Sequence, residues 1–124
     1  KNGVINWKQS INSYLRPTII DNLIFTISLE GYLIILDSKS GNILRVTDLF
    51  KNIKKKKKNI IPLGFIISKN KIFLSLNTGR LMVVNALDGQ VLKILKIDNQ
   101  KISRPYISEN SMYVIKNNSI IKFN

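Results

Sequence analysis

Short runs of β-branched and aromatic residues recur along the chain, each closed by Gly, Asn, Asp or Ser. In the first third they cover residues 17–20, 23–28, 32–36 and 42–47. Such side chains suit a pleated surface, and the residues between them suit turns. The third run, YLIIL (Tyr32–Leu36), is apolar on both faces of a strand. A strand with one face in water alternates apolar and polar residues, so this one must be covered on both sides. RLMVV (Arg80–Val84) repeats the pattern. No amphipathic helical stretch is at hand to cover either strand, so the cover has to be a neighbouring sheet. This predicts that Leu33 and Ile34 are both buried. A helix over 81–97 is the competing reading, but Asp88–Gly89 would break it.

The runs belong to a repeat. Shifted by 48 positions, Ile24 and Phe25 fall on Ile72 and Phe73, Leu33 on Leu81, and Gly41 on Gly89. A third, partial copy spans 104–124 and matches 16–37 with one residue deleted near Asn117. NGVINWK (Asn2–Lys8) has the pattern of a unit's last strand. Gly3 and Gly41 lie 38 apart and Gly41 and Gly89 lie 48 apart, the excess falling in KNIKKKKKNI (Lys51–Ile60). The period is therefore about 40, that of four-stranded sheets stacked face to face. Gly31 and Gly79 are placed for the hairpins after the second strands, where positive φ is needed. Asp37 and Asn85 open the turns after the third strands, and Gly41 and Gly89 close them. Twelve strands are expected.

The stretch GYLIILDSKSGNILR (Gly31–Arg45) resembles the PQQ-type β-propeller repeat. Asp37, Ser40 and Gly41 match the Asp, Thr and Gly of that repeat's docking motif. Asn85, Asp88 and Gly89 match more loosely, and Gly3 and Trp7 match the Gly-x-x-x-Trp end of a preceding unit. Ile35 and Val83 stand where the motif has alanine, and Arg45 and Lys93 stand where it has tryptophan. Tryptophan docking is thus expected to weaken after the first unit. The resemblance implies an all-β fold: a partial propeller of about three four-stranded antiparallel blades. Residues 1–10 would end a preceding blade, 11–50 form a blade, 51–60 a basic insertion, 61–98 a blade and 99–124 a partial blade. Propellers reach about eight blades, so the chain reads as a piece of a larger ring. Its open edges predict self-association.

Two branches of that family matter. One is the quinone-dependent alcohol dehydrogenases, whose sites use calcium-binding acids, arginines on the cofactor, a catalytic Asp and often a vicinal cysteine pair. The other is non-catalytic and includes the lipoprotein of the bacterial outer-membrane β-barrel assembly machine. The chain has no cysteine and no histidine, which removes disulfides, thiolate metal sites and the commonest general base. Its acids, Asp21, Glu30, Asp37, Asp48, Asp88, Asp98 and Glu109, show no pairing suited to acid–base work, and Asp37 and Asp88 have a use as turn residues. No catalytic, cofactor-binding or metal-binding residue is assigned. The expected role is a protein-interaction scaffold on the periplasmic side of a bacterial envelope, with outer-membrane assembly components as partners by resemblance. A part of a quinone-dependent dehydrogenase propeller is the alternative.

The formal charge of +13 adds a third reading, a basic module for an anionic polymer or membrane surface. Ile, Lys and Asn fill 53 of 124 positions while Ala occurs once, so A/T-rich codon usage accounts for the charge more simply. The run Lys54, Lys55, Lys56, Lys57 and Lys58 is the candidate contact for an anionic partner. Without interleaved aromatics for base stacking, nucleic acid is not the expected partner. No run approaches the roughly 20 apolar residues of a membrane-spanning helix, so membrane association is expected only through a longer protein.

Overall fold

The structure is a computed structural model that describes residues 3–53 and 59–123. Among the described residues eleven strands form three antiparallel sheets, and no α-helix occurs. The first sheet runs in the order β1 (Thr18–Ile20), β2 (Leu23–Ile27), β3 (Tyr32–Asp37), β4 (Ile43–Asp48). The second repeats it with β5 (Pro62–Ser68), β6 (Lys71–Leu76), β7 (Arg80–Asn85) and β8 (Val91–Lys96). The third holds β9 (Tyr106–Ser108), β10 (Ser111–Lys116) and β11 (Ser119–Phe123), with β10 in the middle. Each sheet is a meander, so every pairing joins neighbours in sequence and needs only a short turn.

The registers confirm the internal repeat. Phe25 pairs with Ile35 and Phe73 with Val83, equivalent positions 48 apart. A bulge falls in the β3–β4 ladder between Ile35 and Leu36 and in the β7–β8 ladder between Val83 and Val84. The expected strand at the start of the chain does not form. Residues 3–17 contain no strand, although Gly3–Trp7 carries the fourth-strand pattern. A strand needs a neighbour, and the first sheet already has its own fourth strand, β4.

Both-face burial holds. Leu33 is 0% and Ile34 9% exposed, and Leu81, Met82, Val83 and Val84 lie between 0% and 1%. The segment 81–97 is strand, turn and strand, not helix. The main core lies between the first two sheets. Phe25, Ile27, Leu33 and Ile35 meet Phe65, Leu74, Met82 and Val84 there. Leu81 and Val83 point the other way, to the third sheet. Alternate residues of one strand thus belong to two different cores, which is why LIIL (Leu33–Leu36) and LMVV (Leu81–Val84) carry no polar position.

The connections are pinned as well. Phe50 is 1% exposed and its ring lies where a Cβ on Gly31 would be, with Gly31 at φ +92°. The third sheet is fastened by Arg104, whose Nε donates to the Phe65 carbonyl at 3.1 Å, and by Ser75 Oγ, which donates to the Ser103 carbonyl at 2.6 Å. Lys116 Nζ lies 2.8 Å from Asp98 Oδ2, which ties β10 to the connection before it.

The turns inside β1–β2, β5–β6 and β9–β10 have two residues each and use no glycine. Asp21, Lys69, Asn70, Glu109 and Asn110 all take positive φ there. Asn and Asp tolerate that region better than other side chains. Lys69, at φ 51°, is therefore strained. Lys69→Asn is expected to raise stability by about 0.5 kcal/mol, read as a higher urea midpoint at unchanged slope.

Candidate functional site

Two features of the stack can meet other molecules: the outer strands and the junctions between sheets. The outer strands β4 and β8 each pair on one side only within their sheets. Arg45, Lys93 and Lys96 place charge there. The structure adds an apolar share. Ile43, Leu44 and Val46 on β4, and Val91, Leu92 and Ile94 on β8, are between 40% and 56% exposed. These positions read as core on hydrophobicity alone. They are exposed because the neighbouring sheets do not cover the faces of β4 and β8, whereas β5, equally at the end of a strand order, is largely covered.

Equivalent repeat positions supply a donor twice, once where the N-terminal segment meets the first sheet and once at the junction of the first two sheets. The Trp7 indole Nε1 donates to the Ser38 carbonyl at 2.9 Å, and its ring lies over Gly41, where a Cβ could not fit. Position 45 is one unit on. Arg45 Nη2 donates to the Ala86 carbonyl at 3.1 Å, and Nη1 donates to the Leu87 carbonyl. Ala86 is the repeat equivalent of Ser38, 48 positions later. Arginine thus reaches the same carbonyl that tryptophan reaches one junction earlier. The weaker docking expected from the loss of tryptophan is offset by two hydrogen bonds from a charged donor.

The acidic turn residues are engaged locally. Asp37 Oδ2 accepts from the Ser40 amide at 2.8 Å and from its hydroxyl at 2.7 Å. The Ser40 hydroxyl, then its amide, holds the Asp37 carboxyl below the ordinary carboxylate range. Asp88 Oδ1 accepts from the Gln90 amide at 2.9 Å, and Asn85 Oδ1 from the Leu87 amide at 2.8 Å. Each bond sets a turn, as the Asx residues of loops do. Among the described residues no three His, Cys, Asp or Glu side chains come together as a metal-binding group. No described helix is long and apolar enough to cross a membrane.

Lys54, Lys55, Lys56, Lys57 and Lys58 lie outside the described residues. Their flanks are held: the Ile53 amide donates to the Phe50 carbonyl at 3.1 Å, and Asn77 Nδ2 donates to the Asn59 carbonyl at 2.9 Å. In sequence the run falls between β4 and β5. What sequence reading does not single out is the second cluster of lysines, Lys69, Lys71 and Lys93, gathered at the junction of the second and third sheets. The three lie apart in the sequence and on either side of β7, and only the cavity they line brings them together.

No protein-family model matches the chain, and no curated protein sequence matches it. Solved structures do. BamB from Moraxella catarrhalis superposes with a TM-score of 0.63 at 13% identity, over 86% of this chain and 30% of that one. Quinohemoprotein alcohol dehydrogenase ADHIIG from Pseudomonas putida HK5 gives 0.64 at 15% identity, over 87% of this chain and 17% of that one. The β-propeller domain of Cps50 (Swd1) from Myceliophteria thermophila gives 0.60 at 14%, over 75% and 31%. The chain thus spans less than a third of each of these structures. At such identities the likeness is one of fold, and with the sheet order and two-sided burial it makes this chain a partial β-propeller of two four-stranded blades and one three-stranded blade.

Proposed function

We propose that the chain is part of a non-catalytic propeller scaffold that binds other polypeptides on its outer strands. The exposed apolar side chains of β4 and β8, on strands with one unpaired edge, carry this reading. Such an edge offers backbone donors and acceptors for strand addition, while alternate side chains select the partner. Arg45, Lys93 and Lys96 interrupt the apolar pattern, so the fitting partner is an extended segment that alternates apolar and acidic residues.

The likeness to BamB and the PQQ-repeat pattern of Gly31–Arg45 support an envelope setting. There the partner would be a component or client of outer-membrane barrel assembly, on the periplasmic face. Barrel strands themselves alternate apolar and polar residues, which is the pattern that β4 and β8 accept.

The test is binding of a fluorescent peptide of alternating Val and Glu to the chain, followed by anisotropy. V91K/I94K alters two exposed positions on β8 and is expected to lower affinity at least tenfold with an unchanged circular dichroism spectrum. Equal affinity would remove the outer strand from the site. Recovery of barrel-assembly components with the longer protein would support the envelope role. Quinone or calcium binding by that protein would favour the dehydrogenase reading instead. Binding to any polyanion with a steep salt dependence would favour the basic-module reading.

A further inference from the structure

Each junction between sheets holds a cavity, and the two cavities are built from the same repeat positions. At the first junction a space of about 440 Å³ is lined by Asp21, Leu23, Phe25, Ile35 and Arg45, with Ile67 facing them. At the second, a space of about 270 Å³ is lined by Lys69, Lys71, Phe73, Val83 and Lys93, with Ile107 facing them. The apolar wall is kept: Phe25 becomes Phe73 and Ile35 becomes Val83. The charge is not. Asp21, Leu23 and Arg45 sum to zero, whereas Lys69, Lys71 and Lys93 sum to +3.

The first cavity is electrically satisfied. Its cation is bonded to the Ala86 and Leu87 carbonyls, and it holds a carboxylate of its own. The second holds no acidic residue among those lining it. Among the described residues, none of its three lysines has a carboxylate partner, and all three are exposed. Behind them the walls continue as Leu81, Leu95, Met112 and Phe123. Ammonium groups at a mouth and hydrocarbon within describe the complement of an amphiphile.

We propose that the junction of the second and third sheets binds a single-chain amphiphile with an anionic head group. The lysines take the head, and the alkyl chain lies between Phe73, Val83 and Met112. At about 30 Å³ for each water-sized group, the cavity has room for about nine methylenes. This site is separate from the outer-strand surface and does not depend on that reading.

The test is calorimetric titration of the intact chain with decanoate below its micellar range, beside decanol and hexanoate. Saturable binding of decanoate is expected, at least tenfold tighter than decanol. Hexanoate should also bind at least tenfold more weakly, because each buried methylene contributes about fourfold. K71E/K93E should abolish binding. K39E/K51E makes the same charge change elsewhere on the exposed surface and should alter affinity less than threefold. Decanol binding as tightly as decanoate, an equal loss in the two double variants, or no saturable binding would each overturn the proposal. Sedimentation with vesicles containing phosphatidylglycerol identifies the source of the ligand: co-sedimentation points to lipid in a membrane, and decanoate binding without it points to a free amphiphile.

Discussion

Phe50→Ala is expected to cost about 3–5 kcal/mol, the range for a buried aromatic side chain cut back in a core. The ring is 1% exposed and belongs to the main core between the first two sheets. It also fills the space beside Gly31, whose amide and carbonyl bond the Ser28 carbonyl and the Leu49 amide. Removing it opens a cavity and frees the connection that leaves β4. Gly31→Ala attacks the same contact from the other side. It adds a Cβ where the ring lies and forces alanine to φ +92°, at about 2–4 kcal/mol for overpacking and backbone strain together. Once the ring is gone the new Cβ has room, and only the backbone cost remains. The double variant should therefore be less destabilised than the sum of the singles, by about 1–3 kcal/mol. Urea denaturation of all four proteins checks this, and strict additivity would show that ring and glycine do not share the space.

The second large effect concerns the donors at the equivalent positions 7 and 45. Trp7→Ala is expected to cost about 2–3 kcal/mol, roughly half of a full tryptophan truncation because the ring is half-buried, plus one hydrogen bond. Arg45→Ala leaves the Ala86 and Leu87 carbonyls without their donor and should cost about 1–3 kcal/mol. The informative variant is Arg45→Trp. If positions 7 and 45 do the same work, an indole at 45 donates to the Ala86 carbonyl as Trp7 donates to that of Ser38. R45W should then fall within about 1 kcal/mol of the parent and well above R45A. Stability as low as that of R45A would mean that the guanidinium acts through its charge rather than through its reach.

Much of the architecture is legible in the chain itself. Alternation fails in YLIIL and RLMVV because both faces of a middle strand are buried, and hydrophobicity reports burial directly. The 48-residue correspondence locates the ladders, because equivalent residues take equivalent partners. Gly31, Gly41, Gly79 and Gly89 mark turns, since positive φ is open to glycine at little cost. The inner hairpins are harder to read: Lys69 and Glu109 enter the same region without glycine, and only Asp21, Asn70 and Asn110 mark those turns. The expected strand at residues 2–8 is the instructive miss. Its pattern is right, but a pattern supplies only one side of a ladder.

The sites are less legible than the fold. The lysine run is conspicuous in sequence because its members are adjacent. Lys69, Lys71 and Lys93 are not, and they become a cluster only when β6 and β8 flank β7 and the third sheet closes one side. Arg45 reads as a departure from the docking motif, and only the position of the Ala86 carbonyl shows it to be a replacement. The order of residues thus determined where the paired strands run, where they turn and which of them are buried twice, because these depend on side-chain type and local conformation. Tertiary structure alone decided which distant donors meet which carbonyls and where unpaired charge collects, because both depend on distances across sheets that no local pattern encodes.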